Sequence, residues 1–261
     1  MHPALWISKS GLDAQQVSIT VTSNNLANVN THGFKKTQAI FKDLMYQKIR
    51  QPGGEAPGGS QLPSGLMLGT GVKLSGTEKD FREGSPLRTD NALDMYINGK
   101  GFFQILRADG TLAYSRDGKF HVDSSGNLLT SEGLLLQPGI TVPANALSIS
   151  ISGDGIVAVL TPGTTNQTQV GTIQLADFIN PGGLEPVGDN LYAETASSGT
   201  PTVGTPTNNG IGSIEQGALE ASNVNVVEEL VNLIQTQRAY EMNAKSVETV
   251  DGMMQFIAQV L

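Results

Sequence analysis

The sequence predicts an α+β fold in which N- and C-terminal helices form a coiled-coil-like layer and a central, mainly antiparallel β-domain lies between them. Apolar residues recur every seven positions at both ends of the chain. Turn-forming dipeptides recur about every eight residues in the middle. Two stretches rich in Pro and Gly, residues 51–65 and 199–212, bracket that middle and are typical of linkers or extended arms.

The N-terminal helix carries apolar residues on more than one side. Leu5, Leu12, Ile19 and Leu26 follow one another at intervals of seven. A second apolar set begins at Ile7 and repeats with the same period, which places it about 200° around the helix. One neighbour cannot cover both sets, so the pattern predicts a helix that is surrounded by partners.

The C-terminal segment predicts a second helix from about Val226 to about Val260. Asn225, followed three residues later by Glu228, resembles a capping box. A 4-3-4-3 register then runs for five heptads, which is typical of a coiled coil. Nine of its eleven members are apolar: Val226, Leu230, Leu233, Gln237, Tyr240, Ala244, Val247, Asp251, Met254, Ala258 and Leu261.

Between the helices, short alternating runs separated by turn signals predict a β-meander. The signals are Asp109-Gly110, Asp117-Gly118, Gly126-Asn127 and Glu132-Gly133. The composition shifts predict three domains. They are a terminal helical assembly domain, 1–45 with 223–261, an extended arm, 46–76 with 200–222, and a β-rich domain, 77–199.

Composition excludes several function classes. The net charge of −8 disfavours nucleic-acid binding, and no basic run exceeds Lys35-Lys36. The absence of Cys excludes disulfides and thiol chemistry, and His2, His32 and His121 stand too far apart for a metal site. No catalytic motif is present, so we predict no enzyme, no cofactor and no metal. No cleaved Sec-type signal and no membrane insertion are expected either.

The surplus apolar surface of the helices raises the question of what covers it. An intramolecular helix bundle is the commoner use of such stripes, whereas contact between copies would cover faces that two helices cannot cover for each other. On the second alternative, the helices are disordered in the monomer and become ordered on association. Asn24, Asn25 and Asn28 crowd the end of the first helix, where their amides can fix the register of neighbouring helices. Gly33 is expected to adopt a left-handed C-terminal position there.

Four segments carry a resemblance that runs from end to end. "SNNLANVNTHGFKK" at 23–36, preceded by "GLDAQQ", resembles the N-terminal motif of the bacterial flagellar rod and hook proteins, and residues 222–245 resemble their C-terminal motif. "NGKGFFQI" and the segment 112–133 are similar to the central domain of that family. The length and the Pro/Gly-rich stretch after Tyr46 favour a distal-rod subunit within it.

The resemblance implies a structural subunit that self-assembles into the helical distal rod of the basal body and transmits torque to the hook. It implies export by the flagellar type III apparatus without a cleaved signal, and a final place in the rod that spans the periplasm. Implied partners are further copies, other rod subunits, hook-side proteins and the surrounding basal-body rings, which the β-domain would face. Alternatives are a proximal-rod or hook subunit and, from another class, a secreted β-domain binding module or adhesin.

Eighteen residues are the candidate subunit interface, chosen from the stripes, the asparagine-rich corner and the two terminal motifs. They are Leu5, Leu12, Ile19, Asn24, Asn25, Leu26, Asn28, Gly33, Phe34, Asn223, Asn225, Glu229, Leu230, Leu233, Gln237, Arg238, Tyr240 and Val247.

Overall fold

The computed structural model describes residues 3–51, 64–163 and 166–260. Most of the first Pro/Gly-rich stretch therefore lies outside the described residues. The chain divides into two compact units. The helical unit comprises Met1–Ala27, Thr37–Glu78 and Asn225–Leu261, and the β unit comprises Asn28–Lys36 and Lys79–Val224.

Two long helices and a strand arm form the helical unit. Helix α1 spans Pro3–Ala27 and α2 spans Val226–Val260, which confirms the predicted bounds of the second helix. The Asn225 side chain caps α2, because its Oδ1 accepts a hydrogen bond from the amide of Val227 at 3.1 Å.

The strand arm comprises four strands, β1 Thr37–Asp43, β2 Gln47–Arg50, β3 Leu66–Leu68 and β4 Val72–Lys79. They form two short ribbons. Strand β1 pairs with β4, and β2 pairs antiparallel with β3.

The β unit is antiparallel throughout its described strand registers, which confirms the predicted fold class. The strands are β5 Pro86–Arg88, β6 Met95–Asn98, β7 Phe102–Leu106, β8 Leu112–Ser115, β9 Phe120–Val122, β10 Leu128–Thr130, β11 Leu135–Gln137, β12 Ser148–Ile151, β13 Ile156–Leu160, β14 Thr168–Thr172, β15 Leu175–Asp177, β16 Glu185–Gly188, β17 Leu191–Ala193, β18 Thr202–Gly204, β19 Ser213–Gln216 and β20 Ala218–Glu220. The largest sheet has the order β16-β17-β8-β7-β11-β10-β9, with β15 joined to β7 and β18 joined to β15.

The core of the β unit comes from the alternation of side chains along these strands. Phe103 and Ile105 of β7 point to one side and join a large aliphatic cluster. Phe102 points to the other side, where it packs edge-on against Phe178 at a ring-centroid distance of 5.8 Å in a second, aromatic cluster. Burial on both faces explains why β7 is a nearly continuous apolar run.

Three of the four predicted turns form hairpins and one does not. The chain reverses at Gly110, Gly126 and Gly133, each with positive φ, between paired strands. The Asp117-Gly118 hairpin prediction was wrong, because β8 and β9 are not neighbours in the sheet. Glycine is needed at position 118 for another reason, since a Cβ there would stand 1.6 Å from the carbonyl oxygen of Met95.

Residues 200–222 fold with the β unit, which differs from their predicted grouping with residues 46–76. Strand β18 pairs with β15, β19 with β6, and β20 with β5. Ile211, Ile214 and Leu219 are buried there. These well-spaced apolar residues outweigh the Pro and Gly content that made the segment look like a linker.

Candidate assembly surface

Small and polar side chains form the contact between the two helices. The helices run antiparallel, with the Ser8 and Ser246 hydroxyl oxygens 3.5 Å apart. Further along, a Cβ on Gly11 would stand 3.0 Å from the Asn243 amide nitrogen. The most buried residues of α1 are Ser8, Ala14, Thr22 and Asn25. Side chains of this size let two helices pack closely without using their large apolar residues.

The predicted apolar register of α2 is displaced from this contact. Glu229, Thr236 and Val250 are the buried residues of α2. Stripe members such as Leu230 follow them by one position, about 100° around the helix. Leu230, one position after Glu229, is accordingly 41% exposed. Tyr240 lies only about 40° from Thr236 and is 40% exposed.

Among the described side chains of α2, eleven large apolar ones are solvent-exposed, and we call them the exposed apolar residues of α2. They are Val226, Val227, Leu230, Val231, Ile234, Tyr240, Met242, Met253, Met254, Phe256 and Ile257. They are spread widely around a helix of 35 residues, which is typical of a helix that several neighbouring chains cover.

The other stripe residues predicted for the interface are partly covered. In α1, Leu5, Leu12, Ile19 and Leu26 are each half-buried. Leu233 and Val247 of α2 are half-buried as well, whereas Asn24, Asn225, Gln237 and Arg238 are exposed.

Asn25 makes its hydrogen bonds within the chain. Its Nδ2 donates to the Thr37 carbonyl and its Oδ1 accepts from the Thr37 amide, both at 2.9 Å, so the side chain acts as a strand partner for the start of β1. The same Nδ2 lies 3.4 Å from Oε2 of Glu229. Asn25 and Glu229 are 2% and 5% exposed, which differs from the expected sideways bonding of Asn25 between copies.

Residues Asn28–Lys36 form a tightly held corner in the β unit. Gly33 has φ +68°, which confirms the left-handed conformation, but it lies six residues beyond the end of α1. A Cβ at this position would stand 2.7 Å from the carbonyl carbon of Arg116. Phe34 is buried, and the Asn28 Oδ1 accepts a hydrogen bond from the Thr31 hydroxyl at 3.2 Å.

Asn223, which follows β20, connects this corner to the segment that follows β4. Its Oδ1 accepts from the Lys36 amide at 2.8 Å, and its Nδ2 donates to the Asp80 carbonyl at 2.8 Å. The first asparagine of the C-terminal motif therefore has a role inside the β unit.

A buried ion cluster fixes the corner, and the sequence analysis missed it. The Lys35 ammonium donates to Oε1 of Glu220 and to the Arg82 carbonyl. Nη1 of Arg116 lies 3.5 Å from Oε2 of Glu220. Lys35, Arg116 and Glu220 are at most 4% exposed. Burial lowers the pKa of Lys35, and the Glu220 carboxylate opposes that shift. Lys35 stands in the polar stretch "NTHGFKK", so no local feature of the sequence signals its burial.

Among the described residues, no three His, Cys, Asp or Glu side chains approach one another closely enough to hold a metal ion. Neither described helix has the apolar length needed to cross a membrane. An apolar cleft of about 550 Å³ lies in the helical unit and is lined by Pro3, Trp6, Ile7, Gln47, Leu68, Gly69 and Thr70.

Family models match both ends and the middle of the chain. Residues 5–35 match a model described as flagella basal body rod protein, and residues 215–260 match the flagellar basal body rod FlgEFG protein C-terminal model. Residues 96–159 match the flagellar hook protein FlgE/F/G D1 domain.

Curated relatives match the chain over its length. The flagellar basal-body rod protein FlgG of Buchnera aphidicola subsp. Schizaphis graminum is 52% identical, with 100% of both chains covered. FlgG of Caulobacter vibrioides is 46% identical, with 98% of both chains covered. FlgF of the same organism is 33% identical, over 95% of this chain and 93% of that protein. The chain belongs to the flagellar hook and basal-body rod protein family and, within it, resembles the FlgG rod proteins more closely than FlgF.

Proposed function

We propose that this chain is a structural subunit of the flagellar basal-body rod and that it polymerises through its helical unit. The observation that carries the proposal is the number of exposed apolar residues on α2. The two helices already pack against each other through small polar residues, so the large apolar residues remain available for other chains. A head-to-tail contact that does not close on itself produces a helical filament, which is the geometry a rod needs.

The finer features follow from the same proposal. The subunit belongs to the distal rod, because the FlgG relative is more similar than the FlgF relative from one organism. The strand arm, whose Met45, Tyr46 and Ile49 are exposed, braces neighbouring subunits. Partners are copies of this chain, other rod and hook-side subunits, the export apparatus and the surrounding rings, with the β unit outermost. Torque then passes through many contacts per subunit.

Several residues of the predicted interface act inside the chain and support this function indirectly. Asn25, Glu229, Gly33 and Phe34 fix the shape of the subunit. The contacts between copies are assigned to the stripe residues that remain accessible, among them Leu230.

Leu230→Asp tests the proposal. The side chain is 41% exposed, so the substitution disturbs the monomer little, whereas a carboxylate buried between subunits is strongly unfavourable. We expect the variant to lose polymer formation, measured by sedimentation and electron microscopy. The near-ultraviolet circular dichroism of the tyrosines should be retained, because Tyr96, Tyr114 and Tyr192 are buried in the β unit.

Asn232→Asp is the matched control. It places the same charge on the same helix, at an exposed position about 160° away from Leu230, with the polar side chains of Glu228 and Thr236 one turn before and after it. Polymerisation of this control together with loss in Leu230→Asp supports the assigned face. Normal rods from Leu230→Asp would refute it. Neither the hook and proximal-rod alternatives nor the secreted binding module is favoured, since relatives that are 46% to 52% identical over 98% or more of both chains are FlgG rod proteins.

A further inference from the structure

Among the described residues, the exposed methionines are confined to the helical unit. Met45 and Met67 lie in or beside the strand arm, and Met242, Met253 and Met254 lie on α2. These five side chains are between 42% and 88% exposed. The β unit contains a single methionine, Met95, which is 1% exposed.

Methionine is usually buried inside proteins, so a unit that exposes five methionines departs from the usual distribution of this residue. Flexible, polarisable thioethers on a surface are typical of contacts that must adapt to more than one partner geometry. Exposed thioethers also react with peroxides. A sulfur lone pair attacks a peroxide oxygen, an S–O bond forms as the O–O bond breaks, the sulfur is oxidised to a sulfoxide and the peroxide is reduced to water.

We propose that these five thioethers are a peroxide-sensitive modification site that decides whether the subunit can enter the polymer. The inference rests on the proposed function, because it assumes that the surfaces carrying them become buried between subunits. Oxidation before assembly blocks incorporation, and incorporation in turn shields the thioethers from further oxidation.

The position of Met253 and Met254 explains why oxidation blocks incorporation into the polymer. Met253 and Met254 lie in the last turns of α2, where every described side chain from Asp251 to Gln259 is exposed. Apart from Asp251, the segment up to Gln259 carries no charge, so its contact surface is apolar or amide-like. A sulfoxide introduces a strong hydrogen-bond acceptor into that surface, and an acceptor buried without a donor is unfavourable.

The first part of the test maps reactivity. The purified chain is treated with hydrogen peroxide, and peptide mass spectrometry follows the gain of one oxygen at each methionine. We expect the five exposed residues to react at least about tenfold faster than Met95. In isolated basal bodies the same five residues should react at least about tenfold more slowly than in the purified chain. Equal rates at Met95 and the other five, or unchanged rates after assembly, would overturn the inference.

The second part measures assembly by sedimentation of untreated, oxidised and reductase-repaired chain. We expect oxidation to raise the concentration needed for polymer formation at least about tenfold, and methionine sulfoxide reductase to restore it. Substituting Leu for all five residues conserves side-chain volume, so this variant should assemble and resist peroxide. If the variant with five Leu residues does not assemble, the test relies on the native chain: reductase treatment of the oxidised native chain should restore its assembly. Oxidised chain that polymerises like untreated chain contradicts this inference alone, whereas untreated chain that never polymerises contradicts the proposed function as well.

Discussion

At the scale of single residues, Gly33 shows how one position controls the path of the chain between helix and strand. Two separate requirements meet there: a left-handed φ of +68° and a backbone approach that leaves no room for a Cβ. Gly110, also in the β unit, meets only the first requirement. Gly110 has φ +81° with open space around it. A comparison of substitutions at Gly33 and Gly110 therefore separates the energetic cost of a left-handed backbone from the cost of a steric collision.

Gly33→Ala should destabilise the protein by about 3 kcal/mol, since about 1–2 kcal/mol comes from the left-handed backbone and the rest from displacing Arg116. Gly110→Ala should lose only about 1 kcal/mol. Urea unfolding followed through the buried tyrosines measures both values. Equal losses for the two variants would show that the corner can shift away from a methyl group.

The buried cluster of Lys35, Glu220 and Arg116 gives a second prediction at this scale. The cluster holds two cations and one carboxylate, so removal of the carboxylate leaves two unpaired positive charges in the interior. Removal of Lys35 instead leaves the Arg116–Glu220 ion pair, whose net charge is zero. Glu220→Gln should therefore destabilise the β unit by about 3–5 kcal/mol, and Lys35→Met should destabilise it less. Denaturant unfolding of the two single variants and of the double variant tests this order. A larger loss in Lys35→Met than in Glu220→Gln would contradict it.

At the scale of secondary-structure elements, the two helices illustrate what periodicity can predict. The heptad register gave the bounds of α2 and its surplus of apolar residues, because both depend on local spacing. It did not predict which side of α2 faces α1. The contact uses Ser8, Gly11 and Thr22, which carry little hydrophobic signal in a sequence.

Gly11→Leu tests this small-residue contact. A Leu side chain would meet the Asn243 amide, because even a Cβ stands 3.0 Å from its nitrogen. We expect the helix pair to lose about 2 kcal/mol of stability and polymer formation to weaken. Fluorescence of Trp6, the only tryptophan, reports on this unit. Gly11→Ala is the control and should keep the pair intact, since the Asn243 side chain is flexible and Ala favours the helix. An intact pair in Gly11→Leu would mean that the helices do not approach closely at this level.

Strand prediction succeeded where side chains alternate and turns are tight, as in β7 to β8 around Asp109-Gly110. It failed where pairing depends on residues far apart in sequence. Strand β19 pairs with β6 and β20 pairs with β5, in each case more than a hundred residues away along the chain. No local sequence pattern indicates such partners. The ion cluster was missed for the same reason, since Lys35 and Glu220 are adjacent only in the folded chain.

At the scale of the whole molecule, the chain combines a self-sufficient β unit with a helical unit that leaves apolar surface uncovered. Residues 28–36 and 79–224 share aliphatic and aromatic clusters, a buried ion cluster and the Asn223 hydrogen bonds. The helical unit instead exposes large side chains along α2 and the strand arm. This contrast is the physical reason to expect that ordering of the helices is coupled to polymerisation.

Limited proteolysis with mass spectrometry, on the dilute chain and on assembled material, tests this central claim most directly. We predict that cuts in the dilute chain fall within 3–27, 37–78 and 225–260, that 79–224 survives, and that all three cut regions become protected on assembly. Retention of residues 28–36 with the surviving fragment is also expected, because Lys35 is buried against Glu220. Helices that resist cleavage equally in the dilute chain and in the polymer, with new protection confined to 79–224, would contradict assembly through the helical unit.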